Sequence, residues 1–576
     1  MRITVTGAKG QLGNELLRQL AKGGSHLGRL PDCYSDASFD GIDVDQLDIC
    51  DHDAVSAYFA KTRPDVVFHC AAMTHVDGCE DLPEEAFRVN ADAPAHIAKE
   101  CEQIGAKLVC ISTDYVFAGN AARPYNEKEA NEPESVYGKT KLAGEKNAML
   151  FCSRTFIVRT AWLYGVVGKN FVKTIISKAT GNRELKVVDD QIGCPTNAED
   201  LAYSLLVLAA TEQYGIYHCT GTGSCSWWAF ASRIVALSGL QCDVQPCKTK
   251  DYPTKAKRPA YSVLDNSKLE SVTGIQMRSW EEALKDYLEK QSKPPMRIAV
   301  TGAGGYIGRY VVEALLSDGC HVTAVDIRPF SCKSPAIPVV ADIFDPNVDI
   351  YELLGKPDAL IHLAWQDGFV HNSINHMMNL PKHYLFLKQL LSGGLRHIGI
   401  MGTMHEVGYW EGEIGEDTPC KPLSLYGVAK NALRQSFDIL LQEYPDAVFQ
   451  WMRAFYVIGD EASGNSVFSK IILAESEGRE SFPFTSGENK YDFINIKCLA
   501  ARIAATVQQS SVTGIIECCS GKPVALREQV EKFMKEKGLM IKLDYNAYPS
   551  RPYDSPGLWG NPEKINQILY SDFPFK

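Results

Sequence analysis

Two halves of the chain repeat one order of apolar and helical segments. In each half, apolar runs of strand length alternate with stretches in which hydrophobic residues recur at helical spacing. Buried parallel strands form continuous apolar runs, and the helices between them carry the chain back across the sheet. The pattern therefore predicts two doubly wound parallel α/β sheets. The predicted inner strands are 65–71, 107–112 and 155–159 in the first half, and 358–364, 396–401 and 448–453 in the second.

Each half opens on the same nucleotide-binding pattern. Residues 1–13 and 296–308 each contain a short β-branched run, a glycine-rich turn and the start of a helical pattern. Such a turn directs the N-terminus of the helix at a phosphate. We therefore expect two tandem NAD(P)-binding Rossmann-like domains, each with a small C-terminal substrate-binding region. The glycines are Gly7, Gly10 and Gly13 in the first copy and Gly302, Gly305 and Gly308 in the second.

A short segment separates the two repeats. Residues 282–290 follow a helical pattern, and the paired prolines in residues 291–295 end a helix and favour an extended path. We therefore expect a domain over residues 1–290, a linker over 291–295 and a second domain over 296–576. The length of 576 residues suits two domains better than one compact core.

Composition and charge indicate which kinds of ligand the protein binds. The net charge is −11 and the basic residues are dispersed, which argues against binding to nucleic acid or to a membrane surface. The 18 cysteines follow no metal-ligand spacing, and no apolar stretch is long enough to span a membrane. We therefore expect a cytoplasmic protein with small-molecule ligands and no metal site readable from the sequence.

A second pair of motifs carries catalytic chemistry. Each half has a threonine at the end of a central strand, followed by Tyr-x-x-x-Lys, which places the tyrosine and the lysine on one face of a helix. A positive charge at that place stabilises the phenolate and lowers the tyrosine pKa, while the threonine hydroxyl holds the substrate oxygen. Two copies at matching distances predict two sites for proton and hydride transfer. The residues are Thr113, Tyr137 and Lys141, and Thr403, Tyr426 and Lys430.

The choice between NADH and NADPH stays open in both halves. Asp326 ends a second strand in the second half, where a carboxylate accepts the ribose hydroxyls of NAD. Arg328 could instead hold the 2′-phosphate of NADP. The first half has no clear counterpart of Asp326, because the segment from Leu27 to Gly41 is irregular.

With these motifs in view, the first half resembles the dTDP-4-dehydrorhamnose reductase family over essentially its whole length. The resemblance implies reduction of the C4 ketone of dTDP-4-dehydro-L-rhamnose by NADPH or NADH, with Tyr137 as the proton donor, Lys141 as its partner and Thr113 at the carbonyl. Mg²⁺ and a homodimer are implied by family analogy alone. The segments that carry the resemblance are 71–77, 112–117, 136–145, 159–165, 190–196 and 257–262. The implied substrate contacts are Asp114 at the carbonyl, Tyr115 and Trp162 on the sugar, and Arg258 at the diphosphate.

The second half resembles extended short-chain dehydrogenases of the NAD-dependent epimerase/dehydratase family. Its segments 402–408 and 422–430 are similar to reductases that form 6-deoxy-L-talose nucleotides. Dehydratases of this family carry an acidic pair after the catalytic threonine, and Met404 and His405 do not supply one. The resemblance therefore favours ketone reduction, or the reverse oxidation, over dehydration.

Further cofactor contacts follow from the resemblance in both halves. An aspartate and an apolar residue after the next short strand would contact adenine, and residues of the turns and of the third strand would contact the rest of the cofactor. In the first half these are Gln11, Leu12, Asp48, Ile49, Ala72 and Thr74. In the second they are Tyr306, Ile307, Asp342, Ile343 and Ala364.

The fusion itself suggests a combined activity. If both halves act on one 4-ketosugar from opposite faces, they yield dTDP-L-rhamnose and dTDP-6-deoxy-L-talose, and together they act as a 4-epimerase. The alternative is one catalytic half beside a cofactor-binding regulatory module, since a regulatory subunit of methionine adenosyltransferase resembles the same reductase. Both halves keep threonine, tyrosine and lysine, which favours two catalytic sites.

Overall fold

The computed structural model describes residues 1–35, 37–459, 466–548 and 555–570. Contacts between Cα atoms divide the chain into two compact units, Met1–Pro294 and Pro295–Lys576. The last helix of the first unit, Trp280–Ser292, includes the first two residues of the segment that was predicted to be a linker.

The first unit is built on a six-stranded sheet in which every pairing is parallel. All six residues of the strand Thr155–Thr160 are buried, as the continuous apolar pattern predicts for a strand covered on both faces. From one edge to the other, the strands are Gly215–His218, Thr155–Thr160, Lys107–Thr113, Val66–His69, Arg2–Thr6 and Ser38–Ile42.

Helices cover this sheet and continue into a smaller region. The small region contains the parallel pair Glu184–Val188 and Asp243–Cys247, and its core includes Phe230 and Trp280. The α-helices of the unit are Gln11–Lys22, His52–Thr62, Val76–Asp81, Pro83–Phe87, Ala93–Ile104, Val136–Phe151, Phe171–Gly181, Ala198–Ala209, Trp227–Leu237, Ser267–Thr273 and Trp280–Ser292. Short strand pairs are Gly24–Ser25 with Gly28–Arg29, Leu163–Tyr164 with Thr196–Asn197, and Ile192–Gly193 with Cys225–Ser226.

The second unit has the same plan with one more strand at the edge of its sheet. All seven strands pair in parallel. In order they are Ile337–Val340, His321–Asp326, Arg297–Thr301, Ala359–His362, His397–Thr403, Val448–Ala454 and Gly514–Cys518. The prediction of two Rossmann-like parallel sheets is confirmed.

The smaller region of the second unit is a mixed sheet of five short strands, Gly412–Ile414, Gly557–Gly560, Lys490–Asn495, Tyr456–Ile458 and Pro523–Ala525. A further pair is Ser481–Pro483 with Lys542–Asp544. The α-helices of the unit are Gly308–Ser317, Ile350–Leu353, Asn375–Gly393, Leu425–Leu440, Val467–Ser476, Ile496–Val507, Leu526–Lys537 and Glu563–Tyr570. Among the helices of the described residues, none has the length and apolar character that a membrane crossing requires.

Candidate active sites

The glycine turns have the same geometry in both units. Gly7 and Gly302 have φ angles of +65° and +71°, which residues with a side chain rarely adopt. A Cβ atom on Gly13 would lie 2.3 Å from the carbonyl oxygen of Gly7, and one on Gly308 would lie 2.1 Å from that of Gly302. The helix therefore packs directly against the turn, which leaves its N-terminus open to a pyrophosphate. We call each turn with the start of its helix, residues 7–13 and 302–308, a glycine cradle. Both glycine cradles fit NAD(P).

A cavity of about 840 Å³ opens at the carboxyl ends of the strands in the first unit. This is the edge at which doubly wound sheets bind their ligands. Its wall brings together every residue predicted for the site of this half except Arg258. They are Gly7, Gly10, Gln11, Leu12, Gly13, Asp48, Ile49, Ala72, Thr74, Thr113, Asp114, Tyr115, Tyr137, Lys141 and Trp162.

The trio predicted to be catalytic in the first unit lies on this wall. Thr113 ends a central strand, and Tyr137 and Lys141 lie in the first turns of the helix Val136–Phe151, whose N-terminus is capped by the side chain of Ser135. The hydroxyl of Thr113 donates a hydrogen bond to Oδ1 of Asp114 at 2.9 Å. These groups are thus held by regular structure on both sides.

Burial controls the ionisation of the trio. Burial raises the pKa of Tyr137, and hydrogen bonding to Thr113 opposes that change. Burial also lowers the pKa of Lys141. Burial of Tyr137 thus opposes the lowering of the tyrosine pKa that the lysine charge is expected to cause, because desolvation favours the neutral phenol. A neutral phenol is the form that donates a proton.

Asp43 is the first unit's counterpart of Asp326, and it was missed by sequence reasoning. Each aspartate lies at the end of the strand that pairs with the first strand of its unit. Oδ2 of Asp43 accepts the backbone N–H of Lys9 at 2.9 Å, and Oδ2 of Asp326 accepts that of Gly304 at 3.0 Å. Lys9 and Gly304 occupy the same place in the two turns. Both acids can therefore reach an adenosine ribose.

An insertion hides Asp43 in the sequence. The strand pair Gly24–Ser25 with Gly28–Arg29 comes between the first helix and the strand Ser38–Ile42. The expectation that Asp48 follows a further strand is wrong, since Asp48 follows Ser38–Ile42 itself, whereas Asp342 does follow the strand Ile337–Val340. In the sequence, the one remaining indication that Asp43 is the ribose-binding candidate was its position shortly before Asp48.

The two aspartates predicted to contact adenine nevertheless form matching turns. Oδ1 of Asp48 accepts the N–H of Cys50, and Oδ1 of Asp342 accepts the N–H of Phe344, both at 2.9 Å. Ile343 beside Asp342 is buried.

Trp162 packs against an aromatic residue of the smaller region. Its ring stacks on Trp227 with centroids 3.4 Å apart and planes 7° apart, and both residues line the cavity. The backbone of Trp162 has a φ of +47°, an uncommon conformation for a tryptophan. Trp227 was not predicted, and the Trp227-Trp228 pair was its only signal in the sequence.

Arg258 is not among the residues that line this cavity. Its guanidinium pairs with Asp77 at 2.9 Å and donates to the hydroxyl of Tyr115 at 3.4 Å. The ring of Tyr115 meets that of Tyr137 edge to face at 5.5 Å. In this structure Arg258 therefore positions Tyr115, and its predicted contact with a diphosphate stays a prediction.

The second unit places its trio on equivalent elements. Thr403 ends a central strand, and Tyr426 and Lys430 lie at the start of the helix Leu425–Leu440. Burial raises the pKa of Tyr426 to about 12, and hydrogen bonding to Thr403 opposes the change. Burial lowers the pKa of Lys430 to about 7. The Nζ atom of Lys430 donates to the backbone carbonyl of Met401 at 2.7 Å.

Trp365 distinguishes the second site from the first. Gly7 approaches Ala71 in the same way that Gly302 approaches Ala364, each with a would-be Cβ 2.8 Å from the backbone nitrogen. Ala71 is therefore the counterpart of Ala364, and Trp365 occupies the place of Ala72. The Nζ atom of Lys430 lies 3.8 Å from the centroid of the Trp365 ring, a cation–π contact. Sequence reasoning did not identify Trp365.

The glycine turn of the second unit adds a contact to its smaller region. The hydroxyl of Tyr306 donates to the backbone carbonyl of Gly459 at 3.0 Å. Ile307 immediately precedes the helix that starts at Gly308. Both residues thus lie at the predicted pyrophosphate end of the site.

A buried arginine is conserved between the two units, but its carboxylate partner is not. Arg159 pairs with Glu145 of the catalytic helix at 2.7 Å. Arg453, in the matching strand, pairs with Glu406 at 3.3 Å, and Glu406 follows Thr403 by three residues. All of these side chains are almost fully buried. The buried arginine is thus paired with a carboxylate of the catalytic helix in the first unit and with a carboxylate of the short 3-10 helix after Thr403 in the second.

Glu406 explains the glycine in the segment 402–408. Its carboxylate accepts the backbone N–H of Thr403 at 2.7 Å and the indole N–H of Trp451 at 2.9 Å. A Cβ atom on Gly402 would lie 2.2 Å from that indole nitrogen. Gly402 is therefore required by close packing around Glu406.

The described residues contain one group of side chains with metal-ligand chemistry, namely His26, Glu199 and Asp286 in the first unit. Glu199 already pairs with Arg18 at 3.2 Å and with Lys290 at 3.0 Å. Lys290 also pairs with Asp286 at 3.0 Å. Protein cations thus occupy the places next to these carboxylates, so the group does not fit Mg²⁺.

Residues 1–293 match the family model of the RmlD substrate binding domain, and residues 298–518 match that of the NAD dependent epimerase/dehydratase family. The chain belongs to the RmlD family. Its second half belongs to the epimerase/dehydratase family, and the predicted fusion of the two is confirmed.

The chain is also similar to individual proteins. A dTDP-6-deoxy-L-talose 4-dehydrogenase (NAD(+)) of Aggregatibacter actinomycetemcomitans is 44% identical over 272 residues, which are 46% of this chain and 99% of that protein. A dTDP-4-dehydrorhamnose reductase of Streptomyces griseus is 41% identical over 50% of this chain and 92% of its own. The solved dTDP-4-dehydrorhamnose reductase of Bacillus anthracis in complex with NADP is 38% identical with a TM-score of 0.47, over 50% of this chain and 99% of its own.

This RmlD-family chain is an NAD(P)-dependent oxidoreductase. Each half has its own cofactor cradle and its own threonine, tyrosine and lysine. The two sites differ in the groups around the tyrosine, with Tyr115 and Asp114 in the first and Trp365 and His405 in the second.

Proposed function

We propose that both halves are 4-ketoreductases of dTDP-6-deoxysugars. The first reduces dTDP-4-dehydro-L-rhamnose to dTDP-L-rhamnose, and the second interconverts the same ketone and dTDP-6-deoxy-L-talose. The observation that carries the proposal is the complete trio in both units, each beside its own glycine cradle. The names of the relatives in Streptomyces griseus and Aggregatibacter actinomycetemcomitans supply the two products.

Each residue of a site has its own role in ketone reduction. NAD(P)H, when bound on the glycine cradle, supplies the hydride. The phenol of Tyr137 or Tyr426 donates the proton to the carbonyl oxygen, and the neighbouring threonine hydroxyl holds that oxygen in place. The lysine ammonium stabilises the phenolate that remains. Because burial keeps both phenols neutral, each site is ready to donate a proton.

The surroundings of Thr403 support reduction over dehydration. A dehydratase needs a carboxylate after the threonine as a base, and the nearest carboxylate in this loop is Glu406. That carboxylate accepts hydrogen bonds from Thr403 and Trp451 and pairs with Arg453, so it faces the protein interior. Two residues lie between Thr403 and Glu406. Met404 is buried and has no titratable group, and His405 has an imidazole but no carboxylate.

The two activities together make a redox-neutral 4-epimerase. One half oxidises dTDP-L-rhamnose at C4, and the other reduces the ketone from the opposite face with the cofactor that the first step reduced. Atoms and electrons balance without another oxidant. The reduction consumes the NAD(P)H formed in the oxidation, so the sum of the two steps uses no net cofactor.

Product analysis with single-site variants tests the proposal. The full chain, Tyr137→Phe and Tyr426→Phe are each incubated with dTDP-4-dehydro-L-rhamnose and NADH or NADPH, and the sugar nucleotides are resolved by chromatography and NMR. We expect Tyr137→Phe to lose the rhamnose nucleotide alone and Tyr426→Phe to lose the 6-deoxytalose nucleotide alone. Formation of the rhamnose nucleotide only, whatever residue stands at 426, would show that the second half acts on another sugar or does not catalyse.

A further inference from the structure

Five histidines form one cluster with Trp365 and Tyr426 in the second unit, and three of them form internal hydrogen bonds. His362 lies between the hydroxyl of Thr301 at 2.7 Å and Nδ1 of His383 at 2.9 Å. Nδ1 of His376 accepts the indole N–H of Trp365 at 3.1 Å, and its Nε2 donates to a backbone carbonyl at 2.9 Å. His376 thus accepts a hydrogen bond from Trp365, and the ring of His383, which is bonded to His362, stacks on Trp365 with centroids 4.4 Å apart.

The other two histidines of this cluster, His371 and His405, face each other beside the catalytic tyrosine. Their ring centroids are 4.4 Å apart. The ring of His371 stacks on Tyr426 at 5.6 Å with planes 16° apart, and the ring of His405 meets Tyr426 at 6.1 Å. Both side chains are partly exposed. Among the described residues, neither imidazole ring forms a hydrogen bond to another residue.

The position of His371 is built into the fold. The backbone carbonyl of His371 accepts the N–H of Tyr426 at 2.8 Å. Its loop starts at Asp367, whose φ is +58° and whose Oδ2 accepts hydrogen bonds from Ser373 at 2.7 Å and Asn375 at 2.8 Å. The loop thus closes on itself and on the catalytic helix, which fixes the imidazole against the tyrosine.

His405 corresponds to Tyr115 of the first site. Each follows its threonine by two residues, and each ring meets the catalytic tyrosine at a steep angle, 62° for His405 and 75° for Tyr115. Tyr115 has a cation behind it, because Arg258 donates to its hydroxyl. The second site has an imidazole pair at this position instead.

The ionisation of the pair suits a neutral ligand. Burial lowers the pKa of His405 to about 4 and also lowers that of His371. Near pH 7 each ring is neutral and offers one N–H donor and one nitrogen acceptor. Such a pair complements a carbonyl and its neighbouring hydroxyl, whereas a phosphate would need cations.

The geometry points to His371 and His405 as the sugar-binding pair of the second site. They bind the keto oxygen or the adjacent hydroxyl of the 6-deoxysugar, and so fix which face of C4 is turned toward the cofactor. This inference deepens the proposed function and rests on it.

Kinetics of the second site alone test the assignment. The background is the full chain with Tyr137→Phe, which silences the first site, and the probe is dTDP-4-dehydro-L-rhamnose with NADH or NADPH. We expect His371→Leu and His405→Leu each to raise KM for the sugar nucleotide about tenfold or more, since a lost hydrogen bond costs about 1.4 kcal/mol. KM for the cofactor should change by less than about twofold, because the pair lies outside the glycine cradle.

Two controls separate binding from structure. His371→Gln and His405→Gln keep a donor and an acceptor, so we expect them to recover most of the affinity for sugar. His321→Leu replaces an exposed histidine at the amino end of its strand, away from the site, and should change neither KM. A rise in the cofactor KM as large as that in the sugar KM would mean a structural role and would overturn the assignment.

The remaining outcomes distinguish the two levels of the proposal. If the Tyr137→Phe chain turns over the ketosugar and both leucine variants keep its KM, the imidazole pair does not bind the sugar and the inference is wrong. If the Tyr137→Phe chain has no activity at all, the proposed function of the second half is wrong, and the inference is overturned with it.

Discussion

At the scale of single residues, burial rather than pairing sets the ionisation of both sites. Asp114 is almost fully buried, and this burial raises its pKa to about 6. Burial acts in the opposite direction on the pKa of Lys430, which it lowers to about 7. Both groups therefore change charge within the range in which enzymes are assayed, and each gives a pH dependence with a definite sign.

Asp114 makes the first half less stable as the pH rises. The group titrates near 3.9 when unfolded and at about 6 when folded, so the folded state binds more protons between these values. The stability that it contributes is fully present below about pH 4 and is lost as the pH rises through about 6, by about 3 kcal/mol at about 1.4 kcal/mol per unit.

Urea unfolding of the first half, followed from about pH 4 to 7, measures this change. Asp114→Asn carries no charge at that position, so we expect its stability to rise relative to the natural protein across the same window. A constant difference between the two proteins at all pH values would show that Asp114 does not titrate there.

Lys430 should make reduction by the second half fall at high pH. The lysine is protonated below about pH 7 and neutral above it, and the neutral amine no longer stabilises the phenolate that Tyr426 leaves behind. We expect kcat/KM of the Tyr137→Phe chain to decline as the pH rises through about 7. Lys430→Arg keeps its charge throughout and should flatten this limb of the profile. The same decline in the arginine variant would assign it to another group.

At the scale of elements, each unit has one buried arginine paired with a glutamate. The glutamate is Glu145 of the catalytic helix in the first unit and Glu406, shortly after Thr403, in the second. Removing one partner of a buried ion pair leaves an uncompensated charge, which costs about 3–5 kcal/mol. Glu406→Gln should therefore destabilise the second unit by about that amount, reduced by the remaining pair of Arg453 with Glu517 at 3.0 Å. The matched change in the first unit is Glu145→Gln.

Calorimetry of the two variants checks this prediction. We expect Glu406→Gln to lower the unfolding temperature of one transition and to abolish formation of the 6-deoxytalose nucleotide, with rhamnose nucleotide still formed. Glu145→Gln should do the reverse. Loss of both products from either variant would show that the two units do not fold independently.

The sequence predicted the elements well because buried parallel strands and glycine turns have strong local patterns. The strand Lys107–Thr113 and the helix Val136–Phe151 carry the first trio as expected. The identity of the partner of a buried charge has no such pattern, because Glu145 and Glu406 become equivalent only after folding. Asp43 was not recognised because an inserted strand pair precedes it. Trp365 was not recognised because Ala72 was named beside Ala364 from the sequence, whereas the structure aligns Ala364 with Ala71 and Trp365 with Ala72.

At the scale of the whole molecule, each of the two units has its own glycine turn and its own threonine, tyrosine and lysine. Each has its own cradle, so each can hold a cofactor while the other reacts. The central claim is that both units act at C4 of the same sugar. Oxidation by one unit and reduction by the other then require no net cofactor.

The most direct test of this claim starts from dTDP-L-rhamnose and a trace of NAD⁺ or NADP⁺, far below the concentration of sugar. The account predicts that the natural chain converts the sugar to dTDP-6-deoxy-L-talose in many turnovers per cofactor, that Tyr137→Phe and Tyr426→Phe each stop the conversion, and that mixing the two variants restores it. Conversion that survives in either variant alone, or no conversion by the natural chain, would contradict it.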